Sequence, residues 1–219
     1  MADDVIAIVL AGGASRRLGR LVGAGGKAMI DLGGESLLGR VVRTLAGELP
    51  RVFVVAAAGQ PLPPLVGPIE IVRDREPEQG PLAAIRDGLE QAVAGDRPPR
   101  FALVASCDLP GLSAGVVRLL VARARSSGAA WVVPVVAGHP QVLLSAVATD
   151  LHAALAAAVA AGVRSPRRFL ESVVAADPGG VCWLAEAELA AVEPGLGSFA
   201  DVDTPEDLAR VDPGPRSPS

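Results

Sequence analysis

Apolar positions along the chain fall into two recurring patterns. Val5 to Ala11 is a short, nearly continuous apolar run ending at glycine, as expected of a strand buried on both faces of a parallel sheet. Arg51 to Ala56 and Ile69 to Val72 read as further short strands, and Phe101 to Ser106 repeats the buried pattern. Between them the spacing changes: Leu37, Leu38, Val41, Val42 and Leu45 lie on one stripe at helical period, which predicts a helix over Ser36 to Leu45. Gln79 to Val93 reads as a second helix with Pro81 in its first turn, where the missing N–H does no harm.

The alternation continues with a helix over Gly115 to Arg125, strands over Ala130 to Val136 and Gln141 to Ser145, and a helix over Thr149 to Ala161. The tight connection between those two strands predicts that they pair antiparallel. Thr204-Pro205-Glu206-Asp207 is a helix start, with Thr capping, Pro in the first helical position and Asp207 completing a box-like pattern. Strands and helices in this order predict an α/β fold: one domain over residues 1–211, with a doubly wound, mostly parallel sheet carrying an antiparallel strand. The proline- and serine-rich stretch from Asp212 to Ser219 reads as a disordered tail.

Composition narrows the picture. Of 219 residues, 50% are hydrophobic but only 3% aromatic, so the core must be built from Ala, Val and Leu rather than from rings. A net charge of −4 gives no global field to attract nucleic acid or an anionic membrane, so any anion binding must be local. Cys107 and Cys182 have neither CxxC spacing nor the density of a disulfide scaffold, which fits small buried hydrophobes in a reducing cytoplasm. Asp3 and Asp4 ahead of the first apolar run do not resemble the basic flank of a signal peptide. The Ala-rich stretch from Leu151 to Val163 falls short of the roughly 18 apolar residues a membrane span needs.

Two strand ends carry candidate chemistry. In an open α/β sheet, ligands bind beyond the carboxyl ends of the strands, where glycine-rich loops let backbone N–H groups approach phosphate. The first end is Leu10-Ala11-Gly12-Gly13-Ala14-Ser15-Arg16-Arg17-Leu18-Gly19, followed by Lys27, and the second is Cys107-Asp108-Leu109-Pro110. Gly12 and Gly13 remove side chains where an anion must come close, while Arg17 and Lys27 supply positive charge to phosphate oxygens. A carboxylate such as Asp108 suits Mg²⁺, which keeps several waters and takes only one or two protein carboxylates. The spacing matches neither G-x-G-x-x-G nor GxxxxGK[ST], leaving a different nucleotide loop.

The whole string resembles the LAGGxSxRMG signature of the molybdenum cofactor guanylyltransferase family, within the Rossmann-like nucleotidyltransferases. Arg73-Asp74, Gln79-Gly80-Pro81-Leu82-Ala83-Ala84-Ile85, Cys107-Asp108-Leu109-Pro110 and Asp203-Thr204-Pro205-Glu206-Asp207-Leu208 follow in the family's order. The resemblance implies that Leu10, Ala11, Gly12, Gly13 and Lys27 contact the nucleotide, that Asp74 reads guanine, and that Asp108 binds Mg²⁺, with Arg17, Lys27 and Asp108 serving catalysis. It also implies that Gly80, Gln141 and Asp203, with His139 and Pro140, lie toward a molybdopterin-type second substrate. The implied reaction is Mg²⁺-dependent transfer of GMP from GTP to molybdopterin with release of pyrophosphate. Transient contact with molybdoenzymes or other cofactor-biosynthesis proteins goes with that role.

The chain departs from the family pattern in two places. Arg20-Leu21-Val22-Gly23-Ala24-Gly25-Gly26 lengthens the loop before Lys27, with Gly26 where the family has Asp, and Asp201-Val202-Asp203 replaces a usual Asn-x-Asn. Plainer readings also stand: Asp108 as a turn or N-cap residue, Asp74 as part of a solvated charge cluster, and His139 as a hairpin-turn residue. Two other functions share these residues, a cytidylyltransferase or sugar-phosphate nucleotidyltransferase on the same fold and a catalytically degenerate nucleotide-binding protein.

Overall fold

A computed structural model of the chain describes residues 4–12, 23, 25–74 and 79–211. Gly13, Arg17 and the tail from Asp212 lie outside the described residues.

The first apolar run forms β1 (Val5–Leu10), buried along its whole length. Its odd and even positions enter separate apolar clusters on opposite faces of the sheet, Val5, Ala7 and Val9 on one side and Ile6, Ile8 and Leu10 on the other. That two-sided burial is the reason the sequence shows no alternation there. β1 sits in the middle of the sheet, parallel to β4 (Val52–Ala56) and to β6 (Phe101–Ser106), and β5 (Ile69–Arg73) extends the parallel block beyond β4.

Helices cover both faces. The stripe read from the sequence is the buried face of α1 (Leu37–Ala46), and the Ser36 side chain accepts from Gly39 N to cap it. α1 and α3 (Ala114–Ser127) pack on one face. α2 (Pro81–Val93), α4 (His152–Ala160) and α5 (Pro166–Ala176) pack on the other. α2 presses close enough to β1 that a Cβ on Gly88 would stand 2.7 Å from Ile8 Cγ2.

Beyond β6 the sheet changes direction. The strand expected over Gln141 to Ser145 is instead β9 (Leu144–Ala148), inserted between β6 and β7 (Trp131–Val136) and antiparallel to both. The expected antiparallel pairing with β7 is present, but shifted along the chain. Gln141 to Leu143 form the turn that follows the two-residue strand β8 (His139–Pro140), which folds back on β7. Two buried polar groups fix this region: Trp131 Nε1 donates to Ser145 Oγ at 2.9 Å, and that hydroxyl donates to Val142 O at 2.9 Å. The helix expected from Thr149 begins as a 3₁₀ turn, in which the buried Thr149 hydroxyl donates to Pro99 O at 2.5 Å.

β10 (Val181–Leu184) pairs parallel with β7 at the sheet edge, and α6 (Glu186–Val192) follows it. The short antiparallel pair β2 (Asp31–Leu32) and β3 (Glu35–Ser36) leads into α1. At the far end of the described chain, α7 (Pro205–Val211) opens as expected: Asp207 N donates to Thr204 Oγ1 at 3.2 Å, and Asp207 Oδ2 accepts from Thr204 N at 2.8 Å. No helix among the described residues is long and apolar enough to cross a membrane.

Candidate functional site

The carboxyl ends of β1, β4, β5 and β6 point to one edge of the sheet, because these strands run parallel. The β1–β6 ladder continues one step past the strands, with Cys107 N donating to Leu10 O at 3.1 Å, so Asp108 emerges beside Ala11 and Gly12. Lys27 arrives from elsewhere. It lies in a 3₁₀ turn over Gly26–Met29, anchored by buried Ala28 and, just past the turn, buried Ile30. Gly26 has φ +68°, a left-handed conformation that glycine adopts without strain, and this accounts for glycine where the family pattern has Asp.

A third segment completes the arrangement. Val202 is fully buried with Ile30, Leu32 and Leu37, and its N–H donates to Asp108 O at 2.9 Å. With Val202 turned inward, Asp201 and Asp203 flank it at the surface. Lys27 Nζ then donates to Asp108 Oδ2 at 2.9 Å and to Asp203 Oδ1. The three side chains are 13%, 19% and 34% exposed, so the cluster is partly withdrawn from solvent.

Charge in the cluster is unevenly balanced. Partial burial pulls the Lys27 ammonium down, but hydrogen bonds and charge from Asp203 and Asp108 outweigh it and leave it above the ordinary lysine value. Burial first, then the neighbouring carboxylates Asp203 and Asp108, push Asp201 up. Burial also pushes the Cys107 thiol up to about 12, which removes any thiolate character and leaves a small hydrophobe.

Asp74 stands on the other side of the glycine turn, where a Cβ on Gly12 would be 4.0 Å from its Oδ2. Its N–H donates to Ala56 O at 2.9 Å, so it continues β5 off the end of the ladder. Burial raises its carboxyl above the usual range, the negative charge of Asp87 adds to this, and Arg86 opposes it. Asp87 is buried and paired with Arg86 at 2.9 Å.

The residues expected at a second substrate are spread along the same edge. Gly80 caps α2 with φ +83°, and a Cβ there would come within 3.0 Å of Arg164 O. Gln141 closes the β8–β9 turn, its Nε2 donating to His139 O at 3.0 Å. Asp203 lies on Lys27. Thus the structure brings together Lys27, Asp108 and Asp203, sets Asp74 beside Gly12, and joins neither group directly to Gly80 or Gln141. Sequence reading gave no role to Gln60, Arg86 or Asp87. A signal for the last existed, since Asp87 falls four residues after Ala83 on a buried helical stripe.

An ammonium between two carboxylates, beside a glycine turn at strand carboxyl ends, suits a polyanion that arrives with a divalent cation. The MobA-like NTP transferase domain matches residues 7–177 of this chain. The chain belongs to that family. A probable molybdenum cofactor guanylyltransferase of Mycobacterium ulcerans is 38% identical over 173 residues, covering 78% of this chain and 81% of that protein. Molybdopterin-guanine dinucleotide biosynthesis protein A of Archaeoglobus fulgidus has the same fold, with a TM-score of 0.74 at 21% identity over 95% of this chain and 97% of that one. The 2-C-methyl-D-erythritol 4-phosphate cytidylyltransferase of Thermus thermophilus shares it too, with a TM-score of 0.66 at 18% identity over 94% and 97%. This MobA-like chain is therefore a nucleotidyltransferase on a mostly parallel Rossmann-like sheet.

Proposed function

We propose that this enzyme transfers GMP from GTP to molybdopterin, with Mg²⁺ accompanying the triphosphate and pyrophosphate leaving. The observation that carries the reading is the Lys27 ammonium fixed at Asp108, next to the glycine turn and across from Asp74. The names of the mycobacterial and archaeal relatives support the choice of guanine and of the molybdopterin acceptor.

Among the described residues no three His, Cys, Asp or Glu side chains converge as a metal cage. The donor set nonetheless fits Mg²⁺, which takes one or two carboxylates and completes its shell with phosphate and water. Asp108 would hold it, and when bound it would neutralise charge on the triphosphate oxygens. Lys27 releases its carboxylate partners for the phosphates and, with Arg17, steadies the charge that develops on the pyrophosphate. Leu10, Ala11, Gly12 and Gly13 present backbone close to the nucleotide, and Asp74 accepts from the guanine edge. Gly80, Gln141 and Asp203 face the acceptor side. In the reaction a phosphate oxygen of the acceptor bonds to the α-phosphorus while the bond from that phosphorus to the β-phosphate oxygen breaks. The acceptor phosphate is already anionic, so no general base is needed and positioning supplies most of the acceleration.

The test is to incubate the protein with each of the four nucleoside triphosphates, Mg²⁺ and molybdopterin carrying molybdate, and to follow pyrophosphate. Release with GTP supports the reading. Release with another nucleotide in preference, or none with any, contradicts it.

A further inference from the structure

Gln60 belongs to no motif, yet its side chain occupies the neck of the glycine-rich loop. Its Nε2 donates to Ala11 O at 3.0 Å and to Gly25 O at 2.9 Å, and its Oε1 accepts from Ala57 N at 3.1 Å. Ala11 is the last residue before the glycine turn, and Gly25 is the last before the turn that carries Lys27. One amide therefore ties the entry of the loop to its exit. The pattern fits glutamine specifically, since two carbonyl acceptors require an N–H₂ and the Ala57 amide requires an oxygen.

Two neighbours tighten the neck. Gly25 has no room for a side chain, because a Cβ there would stand 3.2 Å from Pro61 O and collide with the Met29 side chain. The Gln60 carbonyl accepts from Arg73 Nη1 at 2.8 Å, and the same nitrogen donates to Ala57 O at 3.0 Å. Arg73 directly precedes Asp74, so a single residue joins the segment bearing Asp74 to the segment bearing Lys27.

We propose that Gln60 is a positioning residue for nucleotidyl transfer, tying Gly25 to Ala11 so that the Lys27 turn meets the triphosphate. This rests on the reading that Lys27 grips that triphosphate. Without the amide, Gly25 loses the partner that ties it to Ala11, and Gly26 after it offers little resistance to drift.

The test uses the full chain with Gln60→Met, which keeps length without hydrogen bonds, and Gln60→Glu, which sets a carboxylate oxygen against two carbonyls. Each is made alone and with Lys27→Ala, and GTP affinity is measured by calorimetry. Gln60→Met is expected to weaken GTP about tenfold, roughly 1.4 kcal/mol, Gln60→Glu at least as much, and both to cost less than about twofold once Lys27 is Ala. Wild-type affinity in both variants, or the same loss with and without Lys27, overturns the proposal.

Hydrogen exchange of the nucleotide-free protein supplies an arm that needs no GTP. Gln60→Met should speed exchange at Ala57 N and at Ile30 N, which donates to Lys27 O, while β1 and β6 stay protected. Unchanged exchange at Ile30 overturns the proposal even if the wild-type protein binds GTP. If the wild-type protein binds no GTP, the Lys27 reading fails, and exchange alone decides whether Gln60 holds the turn.

Discussion

Lys27 and Asp108, 81 positions apart in the chain, meet at 2.9 Å between Nζ and Oδ2 beyond the carboxyl end of β6. The pair joins a cation suited to phosphate with a carboxylate suited to Mg²⁺, and the distance makes each the other's partner until a nucleotide arrives. Asp108→Asn should keep the fold, since the backbone bond from Val202 N to Asp108 O is untouched, and should remove most transfer activity. Circular dichroism alongside pyrophosphate release checks both halves. Full activity at ordinary Mg²⁺ would remove Asp108 from the reaction.

Lys27→Ala should weaken GTP binding or slow transfer by at least about tenfold, roughly 1.4 kcal/mol. Steady-state kinetics on the purified variant decide the point. Unchanged kcat and KM would make the lysine a structural counter-ion of Asp108 and Asp203, and would shift attention to the arginines of the loop.

Asp74 should govern base choice. Guanine offers N1–H and N2–H₂ as adjacent donors that one carboxylate can accept, and CTP offers no such pair. Asp74→Ala should reduce the kcat/KM ratio of GTP over CTP by ten- to a few hundredfold, about 1.5–3 kcal/mol, while chemistry continues. The carboxyl is raised by burial and by Asp87, and acceptance from guanine requires its ionised form. GTP preference should therefore fall as pH drops through a value above the ordinary 3.8. A flat preference over that range would mean that another group reads the base.

Ser145→Ala should destabilise the protein by about 1–3 kcal/mol, because it strands the buried Trp131 N–H that now donates to the serine hydroxyl. Urea unfolding measures this. Activity per folded molecule should remain at the wild-type value, since Ser145 lies within the sheet rather than at its carboxyl edge.

Much of this arrangement was legible in the chain. Unbroken apolar runs mark β1 and β6 because both faces of those strands are buried, and glycine or Asp-Leu-Pro marks where they end. The α1 stripe is legible because Leu37, Leu38, Val41, Val42 and Leu45 all pack inward. Other features depend on distant partners. β9 begins at Leu144 rather than Gln141 because its register is fixed by pairing with β6, from Leu144 opposite Ala105 to Ala148 opposite Phe101. A local signal does announce α5, since Ser165 caps it and Pro166 takes its first turn, whereas β10 is a short edge strand with half-exposed Trp183. Asp203 meets Lys27 across 176 positions, through the burial of Val202 rather than through any spacing. Gln60 carries no signal at all, since a glutamine before a proline-rich stretch looks like ordinary loop. The contributions of Gly13 and Arg17 fall outside the described residues.

The most direct measurement follows the fate of each phosphate. Two samples of GTP, radiolabelled at the α- or the γ-phosphorus, are incubated with the protein, Mg²⁺ and molybdopterin carrying molybdate, and the products are separated. The α label should enter the molybdopterin product and the γ label should leave in pyrophosphate, with neither transfer in Asp108→Asn. Appearance of the γ label on the acceptor, or of no label there at all, would contradict nucleotidyl transfer to molybdopterin at this site.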